Sequence, residues 1–393
     1  MKAFIWKLAV VGVCTGILTG CWDKIEINQL AIASLVGTDI VPEKHEQVVY
    51  YQIVNPGALA SQTSGNMKAP IYTYKVMGPS KGDLGLRSSD LLPRRLFTDH
   101  YQSHIITERY AREGLRPFLN YYEKQYDRRS SIYLFITDSP LADVMMTYTP
   151  LERLPGRVVR SFVQNVSKTT GWVGRKSRVK DLVENMETSM ATVLPLISLT
   201  GSKPSTKTDR FEHINANQGN LTLSGGAVFK HDRMVGKLGL KQAGYYHLLK
   251  GDIDNFTESF SIGGHSITLW VTKINVRKSL SLVAGTPVWK VDLEMTVALM
   301  NNEQKTDLNM DNLAEIKNKF KEKIIENSTA LFEESVEKKW DLFGLEDKIK
   351  YKRGKEWRAL QQQEAWTRTR LDVSVKSLIS DIGEIINPYK GKE

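Results

Sequence analysis

Residues 267–281, ITLWVTKINVRKSLS, and 287–300, PVWKVDLEMTVALM, alternate apolar with polar side chains over most of their length. Successive strand residues point to opposite faces, so this alternation predicts two long strands of an antiparallel sheet with one wet face. A shorter strand near 257–262 precedes them, a long helix over Asn309 to Trp340 follows, and Leu371 to Ile379 supplies a closing strand. The helix reading rests on Leu313, Ile316, Phe320, Ile324, Phe332, Val336 and Trp340, which share one stripe broken at Ser328. The C-terminal part therefore reads as α+β, an antiparallel sheet packed with long helices.

Upstream, Leu221 to Phe229 and Met234 to Leu238 form a hairpin across Lys230-His231-Asp232-Arg233, with a helix near 240–250 behind it. Leu30 to Val41 and Gln47 to Asn55 read as an antiparallel strand pair, and Tyr72 to Met77 as a third strand. Tyr101 to Thr107, Ser131 to Thr137 and Thr192 to Leu199 are further strands. Between them lie a helix over Ser88 to Phe97 kinked at Pro93, a single amphipathic helix over Glu108 to Gln125, and a helix start at Asp138-Ser139-Pro140. Two more helical segments occupy about 156–168 and 177–190. The small polar stretch Gly201 to Thr208 has the composition of a connector. The fold class is α+β, a multi-domain mixed α/β chain divided as 21–150, 151–208 (middle helical region and linker) and 209–393, after a leader at 1–20.

That leader, MKAFIWKLAVVGVCTGILTGC, has Lys2 and Lys7 ahead of an uncharged run from Leu8 to Leu18. It has the length and flanks of a signal peptide rather than a membrane span. Leu18-Thr19-Gly20-Cys21 closes it with two small residues before a cysteine and resembles a bacterial lipobox. The resemblance implies cleavage after Gly20 and a diacylglycerol thioether on Cys21. Two acyl chains at about 0.8 kcal/mol per buried methylene suffice for stable anchoring. The only other cysteine, Cys14, falls in the discarded leader, so disulfides, thiolate-bound zinc and cysteine nucleophiles are excluded from the mature chain.

The 393 residues carry a formal net charge of +10. Most of that charge serves general solubility; beyond it, for a tethered extracytoplasmic protein, the balance points to anionic phospholipid headgroups or cell-wall polymers as partners rather than to nucleic acid. Arg157, Arg160, Lys168, Arg175, Lys176, Arg178 and Lys180 fall in a stretch with no acid, read first as a solvated helix face and second as a surface against a bilayer or an acidic partner.

Catalytic and metal patterns fail on inspection. Gly171-Trp172-Val173-Gly174-Arg175-Lys176-Ser177 lacks the spacing of a phosphate-binding loop. His100 and His104 are four apart but fall at a turn entering a strand, without the glutamate of a zinc helix, so packing or surface roles are expected. Ser224-Gly225-Gly226 has Thr222 where a nucleophile elbow needs glycine, and its glycines suggest a bulge or a close approach of another segment. His231-Asp232 is a turn. No catalytic residue, metal site or cofactor is expected. A lipid-anchored cell-wall hydrolase would need a carboxylate pair or metal set, and none is singled out.

Four stretches in order resemble the Ger(x)C family, the C-subunit lipoproteins of spore germinant receptors. They are Gly20-Cys21-Trp22-Asp23 with Glu26-Ile27-Asn28, His104-Ile105-Ile106 with Glu108-Arg109-Tyr110-Ala111-Arg112-Glu113-Gly114-Leu115, Leu223 to Lys230 with Val235-Gly236-Lys237-Leu238, and Trp340-Asp341-Leu342-Phe343-Gly344 with Trp357 and Trp366. Two positions depart from the family pattern, Thr107 standing for glycine and Glu356 for proline. The resemblance implies a three-domain ectodomain with an open antiparallel sheet in its last domain and no enzymatic activity. It also implies lipidation at Cys21, assembly with integral membrane A and B subunits, and a place at the extracytoplasmic face of the spore's inner membrane. The alternative is a solute-binding lipoprotein of a transporter, which would show two similar α/β lobes.

Overall fold

The computed structural model describes residues 25–44, 46–60, 69–123, 131–149, 152–201, 219–304, 307–352, 354–360 and 365–383, together with Met1, Phe4 and Trp6. Leu18, Thr19, Gly20 and Cys21 lie outside the described residues.

The first sheet contains β1 (Leu30–Val41), β2 (Glu46–Val54), β3 (Ile71–Gly78), β4 (Arg95–Phe97), β5 (Ser103–Thr107), β6 (Tyr133–Thr137), β7 (Thr192–Thr200), β8 (Asn220–Lys230) and β9 (Arg233–Gly239). Its order is β3-β2-β1-β5-β6-β7-β8-β9, with β4 paired to β1. The steps β1-β5-β6-β7 are parallel and the flanking pairs antiparallel. The central strands are covered on both faces, which is why they read as continuous apolar runs rather than alternations. Val36, Ile106, Leu134 and Ile136 enter one core, and Leu35, Ile105 and Phe135 the other.

The first core is capped by α1 (Lys81–Leu91), α2 (Glu108–Glu113), α3 (Arg116–Glu123) and, across the sheet, residues Val179, Leu182 and Met186 of a later helix. The second is capped by α4 (Leu141–Met146) and α5 (Pro155–Ser161), through Leu141, Val144, Met145 and Val159. That later helix is α6 (Val179–Met186).

Two expected helices are placed differently. The segment expected as a kinked helix over Ser88 to Phe97 instead ends α1 at Leu91 and continues as β4. Pro93 disfavours the helical conformation at its neighbour, and Leu92 is extended (φ −98°, ψ 128°). The single helix over Glu108 to Gln125 is broken into α2 and α3 at Gly114, whose φ of 120° no helix allows. The Leu115 amide donates instead to the Asp232 carbonyl at 2.8 Å, tying the break to the β8–β9 turn.

The hairpin appears as expected, followed by α7 (Leu240–Lys250). β8 pairs antiparallel with β7, so strands from before and after the expected connector share the first sheet, while positions 202–208 of that connector lie outside the described residues. At Ser224 the β7–β8 register shifts, and a Cβ at Gly225 would meet the Leu238 carbonyl oxygen at 2.2 Å, so both the bulge and the close approach are present.

The second sheet has the order β10 (Phe256–Ile262), β11 (His265–Val283), β12 (Thr286–Asn302), β13 (Arg370–Asp381). The three earlier strands are antiparallel, whereas β13 lies parallel to β12. Along β12 buried and wetter positions alternate as the sequence pattern requires. The long helix α8 (Met310–Glu337) lays Ile316, Phe320, Ile324, Leu331 and Phe332 on this sheet. Ser328 is buried within the stripe, and the helix stops at Glu337, three residues before the expected Trp340. Lys339, with φ of 54°, turns the chain so that Trp340 packs from a loop. The chain continues into α9 (Leu345–Lys350).

Candidate functional site

In α/β sheets ligands gather where parallel strands end, so the carboxyl ends of β1, β5 and β6 are the first place to look. Asp39, Thr107 and Asp138 lie there, at the mouth of a cleft of about 500 Å³. Thr107, in the position where the resemblance leads one to expect glycine, caps α2 by accepting from the Tyr110 amide at 3.3 Å and donates its own proton to Asp39. Arg109 grips Asp39 through Nη2 at 2.6 Å and Nε at 3.3 Å. Lys237 on β9 bridges Glu108 at 2.5 Å and Asp138 at 3.2 Å. Arg112 also holds Glu108, at 2.8 Å, and Ser198 donates to Asp138 at 2.7 Å.

The electrostatics follow from these partners. Burial raises the Glu108 carboxyl, but hydrogen bonds from Lys237 and Arg112 outweigh it and hold the group below the ordinary carboxylate range. Burial likewise raises Asp138, and Ser198 and Lys237 bring it below its usual value. Burial lowers the Lys237 ammonium, and its two carboxylate partners more than restore it. Each of these carboxylates is locked ionised against a cation, and an acid-base catalyst needs a group poised near the working pH. The arrangement acts as a latch that fastens the β8–β9 hairpin to α2 and β6.

On the opposite face β5 presents His104, 3% exposed, to a cavity of about 280 Å³ bounded by β1, β2, α1 and α3. Its Nε2 bonds the Thr38 hydroxyl at 2.7 Å, and Nδ1 meets the hydroxyls of Tyr101 at 3.1 Å and Tyr122 at 3.0 Å. Phe118 packs edge-on against the ring at 4.8 Å. Gln47 Oε1 at the same cavity is buried with no hydrogen-bond partner among the described residues. His100 is exposed and packs on Phe97, so the two histidines do not converge. Among the described residues no group of His, Cys, Asp and Glu could hold a metal ion.

The motifs that carry the family resemblance also meet in space. His104 and Glu108-Arg109 lie on one β5–α2 turn and serve the two faces just described. Trp340 packs on Gly236 of β9, where a Cβ would fall 2.0 Å from the indole. Asp341 beside it is buried and accepts from the amides of Leu345 (2.7 Å) and Glu346 (2.8 Å) and the Ser189 hydroxyl (2.9 Å). Its carbonyl also accepts from the Ala191 amide at 2.8 Å, so this turn joins α9 to the segment entering β7. His231, in the turn, bonds the Met186 carbonyl at 2.8 Å. The latch residues Asp39, Asp138, Ser198 and Lys237 escaped sequence reasoning because they are far apart in the chain; the one available signal was that Asp39 and Asp138 follow apolar strand runs.

Two family profiles divide the chain: the spore germination protein N-terminal domain matches residues 23–199, and the spore germination B3/GerAC-like C-terminal domain matches residues 224–383. The chain belongs to this spore germination family. Among Bacillus subtilis (strain 168) proteins, it is 28% identical to the putative spore germination protein YfkR over 239 residues, 60% of this chain and 58% of that one. To spore germination protein KC it is 27% identical, over 47% of this chain and 46% of that one. Spore germination protein B3 aligns over 85% of this chain and 82% of its own length at 20% identity. The matches to YfkR and KC thus span about half of those relatives. The crystal structure of the GerBC protein has the same fold, with a TM-score of 0.51 at 17% identity, covering 87% of this chain and 97% of that one.

Proposed function

We propose that this chain is a lipid-anchored, non-catalytic subunit of a spore germinant receptor, acting with integral membrane A and B subunits to trigger germination in response to nutrients. The observation that carries the reading is family membership along both halves of the chain, preceded by Leu18-Thr19-Gly20-Cys21. The locked ion pairs at the strand ends support a scaffold rather than an enzyme. Among the described residues no helix is long and apolar enough to cross a membrane. The Cys21 lipid would hold the protein at the extracytoplasmic face of the spore's inner membrane, where confinement raises its effective concentration toward its partners and modest interfaces suffice. Among the described residues the sheets of nine and four strands are not two similar lobes, which argues against a transporter's solute-binding lipoprotein. Within this reading, 21–150, 151–208 and 209–393 are proposed as successive domains, with the hairpin of the third completing the sheet of the first.

The test is Cys21→Ala in spores. The variant is expected to leave the membrane fraction and to impair nutrient germination. In parallel, the wild-type chain should co-purify with two multi-span proteins from spore membranes. A full nutrient response from an untethered chain, or purification without either partner, would overturn the reading.

A further inference from the structure

A third cavity, of about 550 Å³, opens where the loop before α6 meets the C-terminal sheet. Six cations line it from four separate stretches: Arg175, Lys176 and Arg178 on the loop, Lys250 at the end of α7, Lys278 on β11 and Lys348 on α9. Among the described residues Asp252 is the one carboxylate in the lining. Its Oδ1 is engaged by His247 Nδ1 at 3.0 Å, and its Oδ2 is buried without a hydrogen-bond partner among the described residues, so it offsets a single charge of the six. Trp289 and Phe343, ring centroids 4.4 Å apart, form an apolar floor.

The cations are poorly neutralised where they face one another. Arg175 pairs with Asp254 at 2.9 Å and Arg178 with Asp181 at 3.4 Å. The three lysines Lys250, Lys278 and Lys348 instead donate to neutral oxygens: the Tyr246 hydroxyl, the Lys250 carbonyl and the Phe343 carbonyl, each at 2.8 Å. An ammonium carries three donors, so each retains hydrogen-bonding capacity for a ligand. Burial, followed by the charge of Lys348, depresses the Lys278 ammonium against a partial restoring effect of Asp252, with smaller lowering contributions from Lys250 and Lys176. Burial also depresses Lys348, against a partial restoring effect of Asp341. Lys250 moves the other way, because Tyr246 and Asp252 outweigh its burial. Like charges brought together over a low-dielectric floor cost folding free energy and focus a positive field into the cleft.

We propose that this cavity binds a multiply charged oxyanion of the phosphate type, carried either by a soluble phosphate compound or by a lipid headgroup. A single carboxylate would leave most of the lining charge uncompensated. Three of the seven cations of the acid-free stretch, Arg175, Lys176 and Arg178, thereby acquire a ligand, while Arg157 turns to Glu152 and Arg160 to Gln102 outside the cavity.

The full chain in nonionic detergent is titrated calorimetrically at low ionic strength with inorganic pyrophosphate. A second titration uses short-chain phosphatidylglycerol below its micelle concentration, with phosphatidylcholine of equal chain length as control. One saturable site per chain is expected, weakened about tenfold by Lys176→Glu or Lys278→Glu and unchanged by Lys273→Glu, an exposed position on β11 outside the cavity lining. Lys176 is exposed, so its reversal should leave the circular-dichroism melt intact; Lys278→Glu also gives up the bond to the Lys250 carbonyl, so its binding is read only on protein whose melt shows it folded. Preference for pyrophosphate identifies a soluble ligand and preference for phosphatidylglycerol a headgroup, and either upholds the site. Absence of saturable binding by both, or equal weakening by Lys273→Glu, overturns it.

Discussion

Substituting Gly236 by alanine tests whether the third and fourth family-like motifs hold each other in place. The new Cβ would lie 2.0 Å from Cζ2 and 2.3 Å from Cη2 of Trp340. Carbon atoms pack at about 3.5–4.0 Å, so the indole must retreat by about 1.5 Å or leave its site. Overpacking of this kind costs about 1–3 kcal/mol, rising toward the roughly 3–5 kcal/mol of a Trp→Ala truncation if the ring is expelled. Trp340 is 6% exposed, so Trp340→Ala carries that larger cost by itself. In the double variant the alanine methyl occupies space the indole has vacated. The pair should therefore cost no more than Trp340→Ala alone, a coupling of about 2 kcal/mol for residues in contact. Urea unfolding of the full chain in nonionic detergent, followed by far-UV circular dichroism, reads the effect as a shift in midpoint. Simple addition of the two single shifts would refute the interlock.

Replacing Lys237 by methionine should lower stability by about 1 kcal/mol near neutral pH, the scale of partly exposed ion pairs. Because Glu108 and Asp138 titrate below their ordinary values when folded, their stabilisation is complete above those values and is lost as pH falls through the folded ones. Lys237 titrates above its ordinary value, so its share is lost only as pH rises through the folded one. Melting temperatures of wild type and Lys237→Met should therefore draw together as pH falls through the folded carboxylate values, and a gap that does not narrow on acidification contradicts the latch. His104→Leu removes the imidazole that bonds the hydroxyls of Thr38, Tyr101 and Tyr122 beside the cavity and should cost about 2–4 kcal/mol. An unchanged urea midpoint for that variant would show that water replaces the imidazole at no loss. Asp341→Ala leaves the Leu345 and Glu346 amides and Ser189 without their acceptor, and a loss of about 2–4 kcal/mol is expected in the same assay.

Local patterning carried the reading of the C-terminal half. The alternation in 267–281 and 287–300 has a two-residue period that only a half-buried strand satisfies, and both strands formed as expected. The helix break at Gly114 was not legible, because Leu115, Phe118, Leu119 and Tyr122 keep helical spacing across it while the deciding bond, from the Leu115 amide to Asp232, comes from over a hundred residues away. The parallel pairing of β13 with β12 was hidden for a similar reason: alternation reports burial but not direction. Single stretches also could not reveal the charge latch, since its members sit on β1, β5, α2, β7, β9 and just past the end of β6 and acquire meaning only when the sheet brings them together. The cation cavity was half legible. The acid-free run pointed to Arg175, Lys176 and Arg178, whereas Lys250, Lys278 and Lys348 look like ordinary surface lysines until the fold gathers them.

The two family segments stop at Leu199 and resume at Ser224, yet the strands on either side of that gap share a ladder from Thr192–Phe229 to Thr200–Asn220. A hybrid that grafted the front of one relative onto the back of another would have to splice through a continuous seam of backbone bonds, with a register slip at Ser224 to be matched on both sides. Inheritance of the two halves is thereby coupled: a recombinant at this point inherits a mismatched edge unless both partners carry the same offset.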